Sequence, residues 1–188
     1  RKDGILPEAM LNFLACLGWN DGTEDEIYSK EDLIERFDVS RIQHAGARFD
    51  EQKLLWLNGQ WIRRLFNEDA KALYARTADF WPEIAKNASD ELKFRVFSII
   101  YDRLKTLADL RTMTDYFFVS PTVDMDMITN NKALKKLSEH EIVALLRQSI
   151  EKLRKVTEWT PENLQNALNE LLAESEQKPA TLFGLIRL

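Results

Sequence analysis

The chain has 188 residues, 45% of them hydrophobic and 30% charged, with a formal net charge of −5. That length holds one large domain or two small ones, and the balance excludes the disordered and fibrous classes. The acidic excess excludes a surface that is basic throughout, so any nucleic-acid contact has to be a local stripe on an acidic body.

In chain order, helix follows helix, each with its own start and stop. Pro7 suits a first helical position, Met10, Leu11, Leu14 and Leu17 follow as an apolar face, and Gly18 ends the run. Four later helices open alike, with a capping side chain flanked by an apolar staple. Ser29 caps between Tyr28 and Leu33, and Asp50 between Phe49 and Leu54. Ser138 caps between Leu137 and Ile142, with Glu141 completing a capping box. Thr160 caps between Trp159 and Leu164, with Pro161 at the first helical position. The helix after Asp50 is expected to stop at Gly59 and a second to follow, with Trp56 and Trp61 filling the core of that hairpin.

A further helix is predicted from Glu68 to Trp81, carrying Leu73, Thr77 and Phe80 and halted by Pro82. Ser89 opens the next, with Leu92, Val96, Ile99 and Ile100 on one face, running toward Leu104. Leu107, Leu110, Met113 and Phe117 continue the period as far as Pro121, and Tyr116 to Val119 reads as a helix end packed into the core. Val123 to Met127 reads as a connector. No segment alternates as a half-buried strand does, so the expected fold class is all-α, a multi-helix bundle or superhelical arrangement.

Constellations that carry catalysis are missing. His44 and His140 belong to no metal-ligand spacing, and neither a Gly-rich phosphate loop nor a GxSxG elbow occurs. Asp124 with Asp126, and Glu24 to Glu26, lie in polar connectors where solvated charge is the plain reading. Cys16 is the only cysteine, so neither an internal disulfide nor a cysteine zinc site can form, and its apolar neighbours suggest a small buried residue. No apolar run approaches the roughly 20 residues of a membrane span. Arg1-Lys2-Asp3-Gly4 leads into an amphipathic stretch rather than a signal peptide. A cytoplasmic, reducing setting is expected, with no membrane partner.

Two stretches are specific enough to suggest a family. The first is Gly4-Ile5-Leu6-Pro7-Glu8-Ala9-Met10-Leu11-Asn12-Phe13-Leu14-Ala15-Cys16-Leu17-Gly18-Trp19. The second is Phe49-Asp50-Glu51-Gln52-Lys53-Leu54-Leu55-Trp56-Leu57-Asn58-Gly59-Gln60-Trp61-Ile62-Arg63. In wording, order and separation, including an intervening helix from Glu31 to Phe37, they resemble the region after the KMSKS-type loop of bacterial-type glutamyl-tRNA synthetases. Diffuse similarity continues through Leu104 to Leu110, Tyr116-Phe117-Phe118 and Glu158-Trp159-Thr160. Lys178 to Leu188 looks like the segment that carries a Pro-Leu-Arg motif in the family, with Leu185-Ile186-Arg187 in its place.

The resemblance implies an internal fragment of a class I aminoacyl-tRNA synthetase that attaches glutamate to tRNA with ATP and magnesium. Residues 1–64 would be the stem-contact region after the catalytic domain, and residues 65–188 a C-terminally incomplete helical anticodon-binding domain. The fragment itself would be inactive and free of cofactor and metal. Its partners would be glutamate tRNA and its own catalytic domain, the whole acting as a monomer. Aligned on Thr106-Leu107, Arg103 falls where the family places an arginine facing the third anticodon base; a solvated arginine paired with Asp102 or Asp109 is the plainer reading. Arg187 falls at the first anticodon base, where a guanidinium plane can stack; a frayed terminal arginine is the alternative. Lys53, Arg63 and Arg64 are candidates for the tRNA backbone, as are Lys132, Lys135 and Lys136, which also read as a solvated helix face. A helical protein-interaction scaffold without tRNA binding is the competing function. A small helical hydrolase has no visible nucleophile–base set.

Overall fold

The computed structural model describes residues 2–43, 46, 48–120 and 125–188, with the backbone alone at residue 125. His44, Pro121, Val123 and Asp124 therefore lie outside the described residues. Among these no strand forms, and an antiparallel bridge joins Trp19 to Ile42. The helices are α1 (Pro7–Cys16), α2 (Lys30–Arg36), α3 (Glu51–Ala75), α4 (Asp90–Ile100), α5 (Leu110–Met113), α6 (Met125–Thr129), α7 (Glu139–Arg154), α8 (Pro161–Ser175) and α9 (Pro179–Ile186). They fall into two compact units, Arg1–Ser120 and Pro121–Leu188.

The caps sit where local chemistry puts them. Ser29 accepts from the Asp32 amide and Asp32 returns to the Ser29 amide at 2.8 Å. Asp50 accepts from Lys53, Ser138 forms a box with Glu141, and Thr160 accepts from Asn163. Tyr28 and Leu33 are buried together beside Trp19, as a staple requires. Leu137 likewise packs with Ile142. Trp159, by contrast, stays 67% exposed, and Phe49 turns to the ring of Phe13, 5.1 Å away.

The helix predicted from Glu68 to Trp81 ends at Ala75, ahead of a 3-10 turn at Ala78–Phe80. Three further expectations need correction within residues 1–120. Gly59 does not end a helix: α3 runs through it, and the break comes at Asp69, whose non-helical backbone interrupts the ladder. The Asp69 carboxylate accepts from the Lys71 and Ala72 amides at 3.0 Å and so caps the second half of α3. Gly59 is small because a Cβ there would lie 3.2 Å from the Leu104 carbonyl oxygen. Second, the buried face of α1 is Ala9, Asn12 and Phe13, while Leu11 and Leu14 face outward. On α4 it is Val96, Phe97 and Ile100, with Leu92 and Ile99 outside. Third, the stretch from Leu107 to Phe117 is no continuous helix but a 3-10 turn, the short α5 and a second 3-10 turn. Phe117 joins the core, whereas Tyr116 and Val119 are exposed.

Unit Arg1–Ser120 is organised around α3. Its Trp61, Ile62 and Leu73 pack with Leu6, Ala9, Phe80, Phe97, Ile100, Leu104, Leu107 and Leu110. Two buried asparagines tie this core to backbone. Asn12 accepts from the Tyr28 amide (3.1 Å) and the Trp61 indole (3.0 Å) and donates to the Glu26 carbonyl (3.0 Å). Asn58 accepts from the Leu6 amide (2.7 Å) and donates to the carbonyls of Gly4 (3.3 Å) and Lys105 (2.6 Å). Every polar group of both side chains is thereby used, which is what permits full burial. Cys16 is half-buried, and burial pushes its thiol above the ordinary range.

In unit Pro121–Leu188, Ile128, Leu134, Ile142, Leu145 and Leu185 form the core. Lys152 of α7 reaches Glu174 (2.6 Å) and Glu170 (3.4 Å) of α8 across the surface. The connector expected at Val123 to Met127 is helical from Met125. Among the described residues, no helix is long and apolar enough to cross a membrane.

Candidate functional site

Helix α4 ends at Ile100 and passes into a 3-10 turn, Tyr101–Arg103, before the chain extends through Leu104. Leu104 is wholly buried, so it anchors the segment and leaves Asp102, Arg103 and Lys105 on the outside. Below it, Asp109 accepts from the amides of Lys105 (2.8 Å) and Thr106 (2.9 Å) and from the Thr106 hydroxyl (3.0 Å). The Asp109 carboxylate is thus spent on backbone, and neither it nor Asp102 pairs with Arg103. Among the described residues Arg103 forms no hydrogen bond, ion pair or ring contact, and it is exposed.

Helix α3 braces this turn from behind at four points. Asn58 holds the Lys105 carbonyl at 2.6 Å. Gly59 lets the helix approach the Leu104 carbonyl. Arg63 donates through Nη1 to the Asp102 carbonyl at 2.9 Å. Phe66 stacks on Tyr101, with ring centroids 3.6 Å apart and planes within 10°. The result is a free guanidinium on a backbone fixed on both sides, and its N–H donors suit a partner rich in acceptors.

The other candidate cations are differently placed. Lys53, at the start of α3, is paired with Glu26 at 2.7 Å. Arg63 is engaged with the Arg103 turn. Arg64 binds Glu68 at 2.9 Å and lies 4.8 Å over the Trp61 ring. Trp61 fills the core as expected, whereas Trp56 is 42% exposed. Lys132, Lys135 and Lys136 are exposed ahead of α7 and make no ion pair among the described residues. Arg187, just after the buried Leu185, is exposed and unpaired at the end of α9. It belongs to the second unit, Arg103 to the first.

Sequence reasoning missed Asn58, Gly59 and Phe66 as supports of this turn. An amide within an apolar helix face was the available clue for Asn58; Phe66 offered none. Among the described residues no three His, Cys, Asp or Glu side chains converge to hold a metal ion. The sequence carries no phosphate-cradling glycine loop either.

Comparison with known proteins gives this site its setting. Residues 65–188 match the family described as anticodon binding domain. Residues 1–56 match tRNA synthetases class I (E and Q), catalytic domain. A glutamate–tRNA ligase of Flavobacterium johnsoniae is 34% identical over 176 residues, covering 94% of this chain and 33% of its own length. One from Corynebacterium glutamicum is 34% identical over 190 residues, covering all of this chain and 38% of its own. A solved glutamate–tRNA synthetase from Elizabethkingia anophelis superposes with a TM-score of 0.66 at 25% identity, over 95% of this chain and 33% of that one. The chain spans about a third of the length of the curated relatives it matches.

Proposed function

The chain belongs to the anticodon-binding domain family, and on that premise we propose that it recognises glutamate tRNA as part of a glutamate–tRNA ligase. Residues 65–188 are the anticodon-reading part and residues 1–64 the stem-contacting part, a division of RNA contacts rather than of folding units, since residue 64 lies inside α3. The complete enzyme uses ATP and magnesium in its catalytic domain, whose family model residues 1–56 match; this portion supplies recognition, as a cytoplasmic monomer.

The observation that carries the reading is Arg103, exposed and unpaired on a turn held rigid from behind. A glutamate anticodon ends in cytosine, whose pairing edge offers N3 and O2 as acceptors to a guanidinium. A glutamine anticodon ends in guanine, whose N1–H and N2–H would face the arginine's donors. An unmatched buried donor costs about 1–3 kcal/mol, roughly 5- to 150-fold in affinity, which is enough to refuse the wrong tRNA. Single-stranded loops are where RNA sequence is read. Arg187 stacks on the first anticodon base, and Lys53 and Arg64 contribute to backbone contact once released from Glu26 and Glu68.

Binding of glutamate tRNA across a salt series, with glutamine tRNA as competitor, tests this. Affinity should fall steeply with salt, because phosphate contacts release counterions, and glutamine tRNA should compete poorly. Indifference to tRNA over unrelated RNA would hand the chain to the protein-interaction reading.

A further inference from the structure

We infer that Arg63 and Phe66 of α3 are positioning residues for anticodon selectivity, acting through the backbone and ring that carry Arg103 rather than through RNA. The inference rests on the reading of Arg103 given above.

Both contacts converge on the residues just before Arg103: Arg63 on the Asp102 carbonyl, Phe66 on the Tyr101 ring. In the 3-10 turn Tyr101–Arg103 the Leu104 amide returns to the Tyr101 carbonyl, so the Asp102 carbonyl has no partner within the turn. Water could satisfy that exposed oxygen, so folding does not require Arg63 there. What Arg63 adds is direction: a planar, charged donor fixes the peptide immediately ahead of Arg103. The Phe66–Tyr101 stack fixes the same turn one residue earlier. Beyond Arg103, the Asn58 and Asp109 bonds hold Lys105 and Thr106. Discrimination between cytosine and guanine depends on where the guanidinium points, and a long exposed side chain on a loose turn would reach either base edge. A recognition group is only as selective as the shell that holds it.

A phosphate contact by Arg63 makes a different prediction, and the two are separable. The experiment measures binding of the chain to glutamate tRNA and to its variant with guanine at the third anticodon position, over a salt series. It compares wild type, Arg63→Met, Phe66→Leu, Arg103→Ala and each of the first two combined with Arg103→Ala, with thermal unfolding confirming that each variant is folded. We expect Arg63→Met and Phe66→Leu each to lower the cytosine-over-guanine ratio about fivefold, within the range of coupling between contacting residues. The salt slope should not change, and neither substitution should have further effect on the ratio in the Arg103→Ala background. If Arg63→Met weakens both RNAs equally and reduces the slope by about one, Arg63 is a phosphate contact and the inference is overturned. An unchanged ratio in both variants, with Arg103→Ala abolishing it, overturns the inference and leaves the Arg103 reading standing. Full discrimination in Arg103→Ala overturns both. Should Arg63→Met not fold, Phe66→Leu, which changes no charge, decides the matter by the same readouts.

Discussion

Asn58→Ala probes the join between the chain's first turn and the Arg103 segment. The substitution removes an acceptor for the Leu6 amide and a donor to the carbonyls of Gly4 and Lys105. These three losses are unequal. The Gly4 carbonyl still receives the Leu107 amide at 3.0 Å, and Lys105 is exposed enough for water to replace the amide. The Leu6 amide is the orphan: Leu6 is 2% exposed, and Asn58 is its acceptor. One buried donor left unmet costs about 1–3 kcal/mol, so the expected loss of stability is about 2–3 kcal/mol once lost packing is added. Urea unfolding followed by tryptophan fluorescence should show a lower midpoint at unchanged slope, and the Leu6 amide should lose its protection from hydrogen exchange. A loss under about 0.5 kcal/mol in Asn58→Ala would refute the claim that a single unmet donor dominates.

Gly4 has a φ of +74°, and a Cβ there would sit 2.7 Å from the Leu107 amide nitrogen. Gly4→Ala should lower stability by more than about 2 kcal/mol, read by chemical unfolding; a neutral result would contradict the packed approach. Tyr74 gives a prediction on the alkaline side, where burial first and the charge of Asp90 second push its phenol up to about 12. The folded state favours the protonated phenol, so its contribution is complete below about pH 10 and lost as pH rises toward the folded value. Wild type should lose more stability between those values than Tyr74→Phe, and equal losses would refute it. On the acid side, Asp21 is held well below the usual carboxylate range chiefly by hydrogen bonds from Thr23, against the opposing effect of burial, with smaller contributions from Tyr28 and Arg36. Its contribution is present above the ordinary carboxylate value and lost as pH falls below it, so Asp21→Asn should flatten the acid limb of the stability profile. An unchanged limb would contradict that.

Much of the fold was legible because its determinants are local. Ser29, Asp50, Ser138 and Thr160 cap the helices they precede since a side-chain oxygen needs only an amide two or three residues on. What failed depended on distant partners. A glycine inside a helix costs only about 1 kcal/mol, so the close approach of the Leu104 carbonyl kept Gly59 within α3 instead of at its end. On α1 and α4 apolar residues occupy more than one face, and periodicity alone could not show that Asn12 and Phe97 turn inward while Leu14 and Ile99 turn outward. The site divides the same way. Arg103 was singled out by its place beside Thr106-Leu107 in the family resemblance, but the carbonyl that Arg63 holds is 39 positions away, a separation no local pattern encodes. Lys53 and Arg64 were recognisable as surface cations, while their ion pairs with Glu26 and Glu68 show only in three dimensions.

Chemical footprinting of glutamate tRNA in complex with the chain addresses recognition most directly, nucleotide by nucleotide. The account predicts protection of the anticodon loop that includes its third base, with protection of that base lost in Arg103→Ala while the rest of the footprint remains. A footprint that avoids the anticodon loop, or a third base equally protected with and without the Arg103 guanidinium, would contradict it.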